Sequence, residues 1–133
     1  KKIIKYGIKN QNLIINGMSP IKNKDEFFSP NIPKVITNSK NEMIYMSRAA
    51  IPSDKKYLFN KSMKQVCIYS FPKKVLLLFA KQKNKTPLEK IEDIEILRFL
   101  EMGLKIKLIQ LNDNSIAIDT IEDYKKTLKY LND

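Results

Sequence analysis

The chain has 133 residues, 43% of them hydrophobic and 29% charged, the composition of an ordinary globular domain with room for one core and no second full domain. Its net charge of +11 is the formal signature of an anionic partner, yet of 25 basic residues only Arg48 and Arg98 are arginine, and the lysines are scattered rather than interleaved with aromatics along one element, which disfavours nucleic-acid binding. The longest apolar run, Val75 to Ala80, is far too short for a membrane span, the first residues lack the apolar stretch of a secretory signal, and the single Cys67 excludes an internal disulfide, all of which fits a cytoplasmic setting.

The first element, Lys1 to Asn10, reads as the end of a helix with Ile3, Ile4, Tyr6 and Ile8 near one side, and its abrupt start suggests a segment upstream. Leu13 to Met18 reads as a buried strand closed by Ser19-Pro20, and Lys24 to Phe28 as a short helical turn. Lys34-Val35-Ile36-Thr37 and Met43-Ile44-Tyr45-Met46 flank Asn38-Ser39-Lys40-Asn41 as the arms of a β-hairpin. A polar loop from Pro52 to Asn60 precedes a strand at Val66 to Tyr69, and Pro72 opens a helix that runs to Lys81.

Thr86-Pro87-Leu88-Glu89 combines an N-cap threonine, a first-turn proline and an acidic residue three positions on, a capping box. One helix is expected from there, carrying Ile91, Ile94, Leu97 and Leu100 inward and stopping at Gly103. Lys105 to Leu111 alternates like a strand with one wet face, and Thr120-Ile121-Glu122-Asp123 opens a last amphipathic helix with Tyr124, Leu128 and Leu131 toward the core. The order of elements gives an α/β or α+β single domain over 1–133, a mixed sheet flanked by helices.

Phe28-Ser29-Pro30-Asn31 with Lys34-Val35, Tyr45-Met46-Ser47-Arg48-Ala49 with Ile51-Pro52, Cys67-Ile68-Tyr69, Thr86-Pro87-Leu88-Glu89 with Leu97-Arg98, and Asp119-Thr120 with Glu122-Asp123 follow one another in an order that resembles the second half of the CMP-Kdo synthetases, enzymes of 3-deoxy-manno-octulosonate (Kdo) that are related to the acylneuraminate cytidylyltransferases. Phe28-Ser29-Pro30-Asn31-Ile32-Pro33-Lys34-Val35 resembles the family's entry into its hairpin, and Tyr45-Met46-Ser47-Arg48-Ala49-Ala50-Ile51-Pro52 the segment that leaves it. Cys67-Ile68-Tyr69-Ser70-Phe71 is similar to the family's Gly-Ile-Tyr strand, Thr86 to Glu92 with Leu97-Arg98 to its Ser-Pro-Leu-Glu helix, and Ile118-Asp119-Thr120-Ile121-Glu122-Asp123 to its closing Val-Asp-Thr-Pro-Glu-Asp. The likeness runs from about Ile3 to Leu131 and implies the C-terminal half of a nucleotide-diphospho-sugar-transferase-like fold, with a dimerising hairpin region and without the CTP-binding half.

The resemblance implies transfer of CMP from CTP to the anomeric hydroxyl of Kdo or a related sugar acid, with magnesium as cofactor, pyrophosphate as the leaving group and a homodimer as the working form. It implies no activity for this half alone. Asp119 would be the catalytic metal ligand, or else a carboxylate that complements a helix N-terminus beside Thr120. Arg48 would grip the sugar-acid carboxylate with its planar fork, or else form a surface ion pair.

Tyr69 would face the sugar, or else the core. Glu92 and Glu95, with Glu89 along one broad side of the capped helix, would offer acceptors to sugar hydroxyls or make a solvated face; Glu89 has the capping box as its other role. Arg98 has no ligand role and would pair with Glu95 or Asp93. Gln65 stands where the family has histidine and Ile96 where it has glutamine, both near the sugar, so the sugar acid need not be Kdo itself. Cys67 replaces a glycine and is expected to be buried. A non-catalytic dimerisation or sugar-acid-binding module and a basic nucleic-acid-binding domain are the alternatives.

Overall fold

The computed structural model describes residues 2–112 together with 121, 124, 125, 127 and 128. Helix α1 (Lys2–Lys9) leads into β1 (Ile14–Pro20), α2 (Lys24–Phe28) and the hairpin β2 (Lys34–Thr37) and β3 (Met43–Ser47). Then come β4 (Met63–Ser70), α3 (Lys73–Lys81), α4 (Pro87–Glu92), α5 (Ile96–Glu101) and β5 (Ile106–Gln110). The five strands form one sheet in the order β3-β2-β4-β1-β5. Among the described residues only the β1–β5 pair is parallel, so the sheet is mixed, as the sequence predicts.

The hairpin turn is closed by Asn38, whose Oδ1 accepts from the N–H groups of Lys40 and Glu42, both at 2.9 Å, while Asn41 takes the left-handed conformation that asparagine tolerates. This turn also meets the far edge of the sheet, because the Leu108 N–H donates to the Asn41 carbonyl at 2.8 Å. The sheet therefore rolls until its two outermost strands touch at one end. Inside the roll lie Ile14, Met18, Val35, Met46, Leu97, Phe99 and Ile106.

Side chains alternate across a strand, so Ile14 enters that core while Ile15 points the other way, into a smaller cluster with Ile3 of α1 and Ile109 of β5. The face of β5 expected to be wet is thus covered at Ile109 by α1. Strand β4 runs in register with β1 from Pro20↔Met63 to Gly17↔Val66, then jumps to Asn16↔Tyr69. Cys67 and Ile68 are looped out as a bulge, and the buried Asn16 Nδ2 pins it by donating to the carbonyls of Val66 at 3.0 Å and Ile68 at 3.1 Å. Cys67 is consequently exposed, against the expectation that it is buried.

The capped helix also departs from the sequence reading. The box forms at Thr86 and Glu89, but the helix ends at Asp93, which turns left-handed at φ 52°, and a second helix, α5, begins at Ile96. The break resets the helical phase. Ile91, expected to face inward, is 79% exposed, whereas Ile94, Ile96 and Leu97 are buried. Arg98 finds neither Glu95 nor Asp93 but the fully buried Glu89, through a two-pronged pair at 2.6 Å for each arm, with its guanidinium 3.8 Å from the centre of the Phe79 ring. That pair ties α5 to α4, and the seat of the guanidinium on Phe79 ties it to α3, none of whose residues is fully buried. Of the last predicted helix, Ile121, Tyr124, Lys125, Thr127 and Leu128 are helical, and Tyr124 and Leu128 are exposed rather than turned to the core; Thr120 and Leu131 lie outside the described residues.

Removing one member of a buried ion pair strands the other, so Arg98→Met is expected to lower stability in urea denaturation by about 3–5 kcal/mol. The Arg98 guanidinium holds the Glu89 carboxyl below the usual carboxylate range. A lowered folded value means that the stabilisation is present above the unfolded pKa and lost as pH falls through the folded one. The difference between wild type and Arg98→Met should shrink accordingly in acid, and a loss below about 1 kcal/mol at neutral pH would contradict this reading.

Candidate functional site

Tyr45 and Ser47 stand two apart on β3 and so share a face, and both donate to the same carboxylate oxygen, Glu92 Oε1, at 3.1 and 2.6 Å. The other oxygen, Oε2, accepts from the Arg48 main-chain N–H at 2.9 Å. Burial pushes the Glu92 carboxyl up, but these hydrogen bonds and the nearby Arg48 charge outweigh it and hold the group below its usual value. Tyr45 is raised in turn, by burial and by its bond to Glu92.

The Arg48 side chain returns to the same helix end. Its Nε donates to the Glu92 carbonyl at 2.6 Å, Nη2 to the Asp93 carbonyl at 3.2 Å and Nη1 to the Pro30 carbonyl at 3.0 Å. The last carbonyls of a helix have no intrahelical partner and carry partial negative charge, so the left-handed break at Asp93 supplies the acceptors that a guanidinium suits. One N–H each on Nη1 and Nη2 remains without a partner among the described residues, enough for a carboxylate. The surface ion pair that the sequence left open is not what this side chain makes.

Beneath Arg48 sits Lys34, fully buried, which the sequence reading passed over as part of a motif. Its Nζ donates to the carbonyls of Arg48 at 2.5 Å and Ser29 at 2.8 Å. Burial and the Arg48 charge pull its pKa down to about 8, against an opposing pull from Glu92. The only sequence signal was a lysine at a strand position flanked by apolar residues, in Ile32-Pro33-Lys34-Val35-Ile36.

A second group forms on β4. Gln65 and Tyr69 flank the bulge and meet, the Gln65 amide donating to the Tyr69 hydroxyl at 2.7 Å. Burial, then Cys67 and Glu95, push the Tyr69 hydroxyl well above its usual pKa. The Tyr69 ring stacks on Phe71 at 5.5 Å, and Phe71 packs on Phe99 at 5.2 Å, so the tyrosine is fixed to the core by one face. Glu95, in the break between α4 and α5, is exposed on this side.

The three glutamates expected on one broad side of a helix are therefore dispersed: Glu89 pairs with Arg98, Glu92 binds β3, and Glu95 is exposed in the break between α4 and α5. Ile96 is buried and offers a ligand nothing. A cleft of about 400 Å³ between α1 and the start of α3 touches Tyr69 but neither Arg48 nor Glu92.

Asp119 lies outside the described residues, and among those described no group of three ligating side chains could hold a metal ion. The roles that the geometry of the described residues supports are binding and positioning.

Glu92→Gln keeps the volume and removes the charge that three donors require. It should cost about 1.5–3 kcal/mol in chemical denaturation at neutral pH. Because the folded pKa of Glu92 is lowered, the difference from wild type should vanish as pH falls through that folded value. An equal difference at pH 3 and pH 7 would contradict the network.

The arrangement can be set against known proteins. A 3-deoxy-manno-octulosonate cytidylyltransferase of Fusobacterium nucleatum is 35% identical over 82% of this chain and 44% of its own length. The protein of the same description from Thermodesulfovibrio yellowstonii is 37% identical over 94% of this chain and 51% of its own. The chain thus spans about half the length of these curated relatives. A solved structure described as CMP:2-keto-3-deoxy-manno-octonic acid synthetase complexed with CTP superposes with a TM-score of 0.83 over 98% of this chain and 54% of its own, at 21% identity, and shares the fold. A family model described as Cytidylyltransferase matches residues 1–106, a stretch that takes in the whole Lys34, Arg48 and Glu92 network, and the chain belongs to that family.

Proposed function

We propose that this chain is the sugar-acid-binding part of an enzyme that transfers CMP from CTP to the anomeric hydroxyl of Kdo or a related sugar acid and releases pyrophosphate. The observation that carries the reading is Arg48, anchored by three main-chain carbonyls with an N–H left over on each terminal nitrogen, in a chain whose curated relatives are 3-deoxy-manno-octulosonate cytidylyltransferases. Those N–H groups would take the two oxygens of the sugar-acid carboxylate. Gln65, Tyr69 and Glu95 would address the hydroxyls, with glutamine in place of the family's histidine supporting a sugar acid other than Kdo as a candidate.

In the transfer, the anomeric hydroxyl gives up its proton to water and its oxygen forms a bond to the α-phosphorus of CTP as the bond from that phosphorus to the β-phosphate oxygen breaks, and pyrophosphate leaves. The part of this chain is to fix the sugar for that approach, which is positioning rather than covalent chemistry. Binding of CTP belongs to residues outside this chain. Asp119 is the ligand we assign to this chain for the magnesium of the whole enzyme, and a homodimer remains the proposed working form.

Isothermal titration with Kdo and with sialic acid tests the reading. At least one should bind, and Arg48→Ala should weaken it at least about tenfold, equivalent to about 1.4 kcal/mol. Arg48→Lys, which keeps charge and loses the fork, should recover little of the loss. No heat with either sugar acid would contradict the proposal, and CMP-Kdo formed from CTP and Kdo by this chain alone would contradict its division of labour.

A further inference from the structure

We infer that Lys34 is a positioning residue for the sugar-acid site: by binding the Arg48 carbonyl and the neighbouring Ser29 carbonyl, it sets the place from which the Arg48 guanidinium works. The inference rests on the reading of Arg48 as the carboxylate ligand.

Two peptide groups flank the Arg48 α-carbon, and each is held by a charged group of opposite sign. The N–H on one side donates to the Glu92 carboxylate at 2.9 Å, and the C=O on the other accepts from the Lys34 ammonium at 2.5 Å. Rotation about either backbone torsion of Arg48 breaks one of these charge-assisted bonds. The same ammonium binds Ser29 O at 2.8 Å, one residue from the Pro30 carbonyl that receives Arg48 Nη1. Lys34 thus fixes both the main chain that carries the guanidinium and the segment against which it rests.

A fully buried lysine is costly, and an apolar side chain of its length would pack there without desolvating a charge. What an apolar side chain lacks is the ability to join two carbonyls. The charged groups that face Lys34 are Arg48 and Glu92, and across the ladder its partner on β4, Lys64, is engaged by Glu26 at 3.0 Å. Lys34 does not need to touch a ligand in this role. Burial and the Arg48 charge pull its pKa down to about 8; the neutral amine keeps two N–H groups, so the two bonds weaken as the charge is lost but both carbonyls stay within its reach.

The test uses Lys34→Met in this chain, read by carbon-detected NMR of the Arg48 Nε resonance and by titration with Kdo and with sialic acid. In wild type the Arg48 Nε shift should change with a midpoint near pH 8. In Lys34→Met it should be displaced at pH 7 and insensitive to pH between 7 and 9, and sugar-acid affinity at pH 7 should fall about tenfold, with no further loss when Arg48→Ala is added. An Arg48 signal unchanged by Lys34→Met would overturn the inference and leave the reading of Arg48 intact. A displaced signal with unchanged affinity would overturn the positioning role. Wild type that binds neither sugar acid would overturn the reading of Arg48 and the ligand part of this inference with it. Should Lys34→Met fail to fold, Lys34→Gln decides in its place, since an Arg48 signal and a sugar-acid affinity both unchanged by that shorter, uncharged donor would overturn the clamp.

Discussion

The Glu92 carboxylate is the point on which the site depends. It collects a tyrosine and a serine from the outermost strand of the hairpin and the main-chain N–H that follows, while the carbonyl of the same residue takes the Arg48 side chain. A single residue at a helix end thus joins the hairpin to the α4–α5 layer through both its side chain and its main chain. The left-handed turn at Asp93 makes this possible, because a helix that ran on would have used the Glu92 carbonyl internally. The local break in secondary structure and the arginine that fills it are one device.

Ionic groups are buried in two places near this device, and they differ in kind. Glu89 and Arg98 neutralise each other and pin helices together, an arrangement that an apolar pair of similar volume could replace. Lys34 has no carboxylate bound directly to it among the described residues and answers instead to two carbonyls, with Glu92 acting on it at longer range. That asymmetry separates a structural pair from a residue that organises a binding group. Gln65 and Tyr69 flank the bulge of β4, where Asn16 fixes two looped-out residues, and a bulge is a common way to re-aim side chains beside a site.

Much of the fold was legible because hydrophobic period and turn chemistry agreed. The hairpin was marked by Asn38 to Asn41, the start of α4 by its capping box, and β1 by an apolar run that proves to be buried on both faces. The helix break was not legible, since nothing local in Ile91 to Ile96 opposes a helix and the left-handed Asp93 is held by a tertiary partner, Arg48. The same cause hid the Glu89–Arg98 pair and the exposure of Cys67, each set by a phase shift or a bulge that depends on distant residues. For the site, Arg48 and Glu92 were marked by motif and their joint geometry was not. Lys34 was passed over because a lysine in a short strand reads as solvent-facing until the carbonyls that surround it are known.

The most direct measurement of the role given to Arg48 is a crystal structure of this chain grown with a sugar acid that it binds. The ligand carboxylate should lie within hydrogen-bond distance of Arg48 Nη1 and Nη2, with Asp93 still left-handed and Glu92 still bound to Ser47. A sugar acid seated elsewhere, with the Arg48 guanidinium making only its main-chain contacts, would contradict that role.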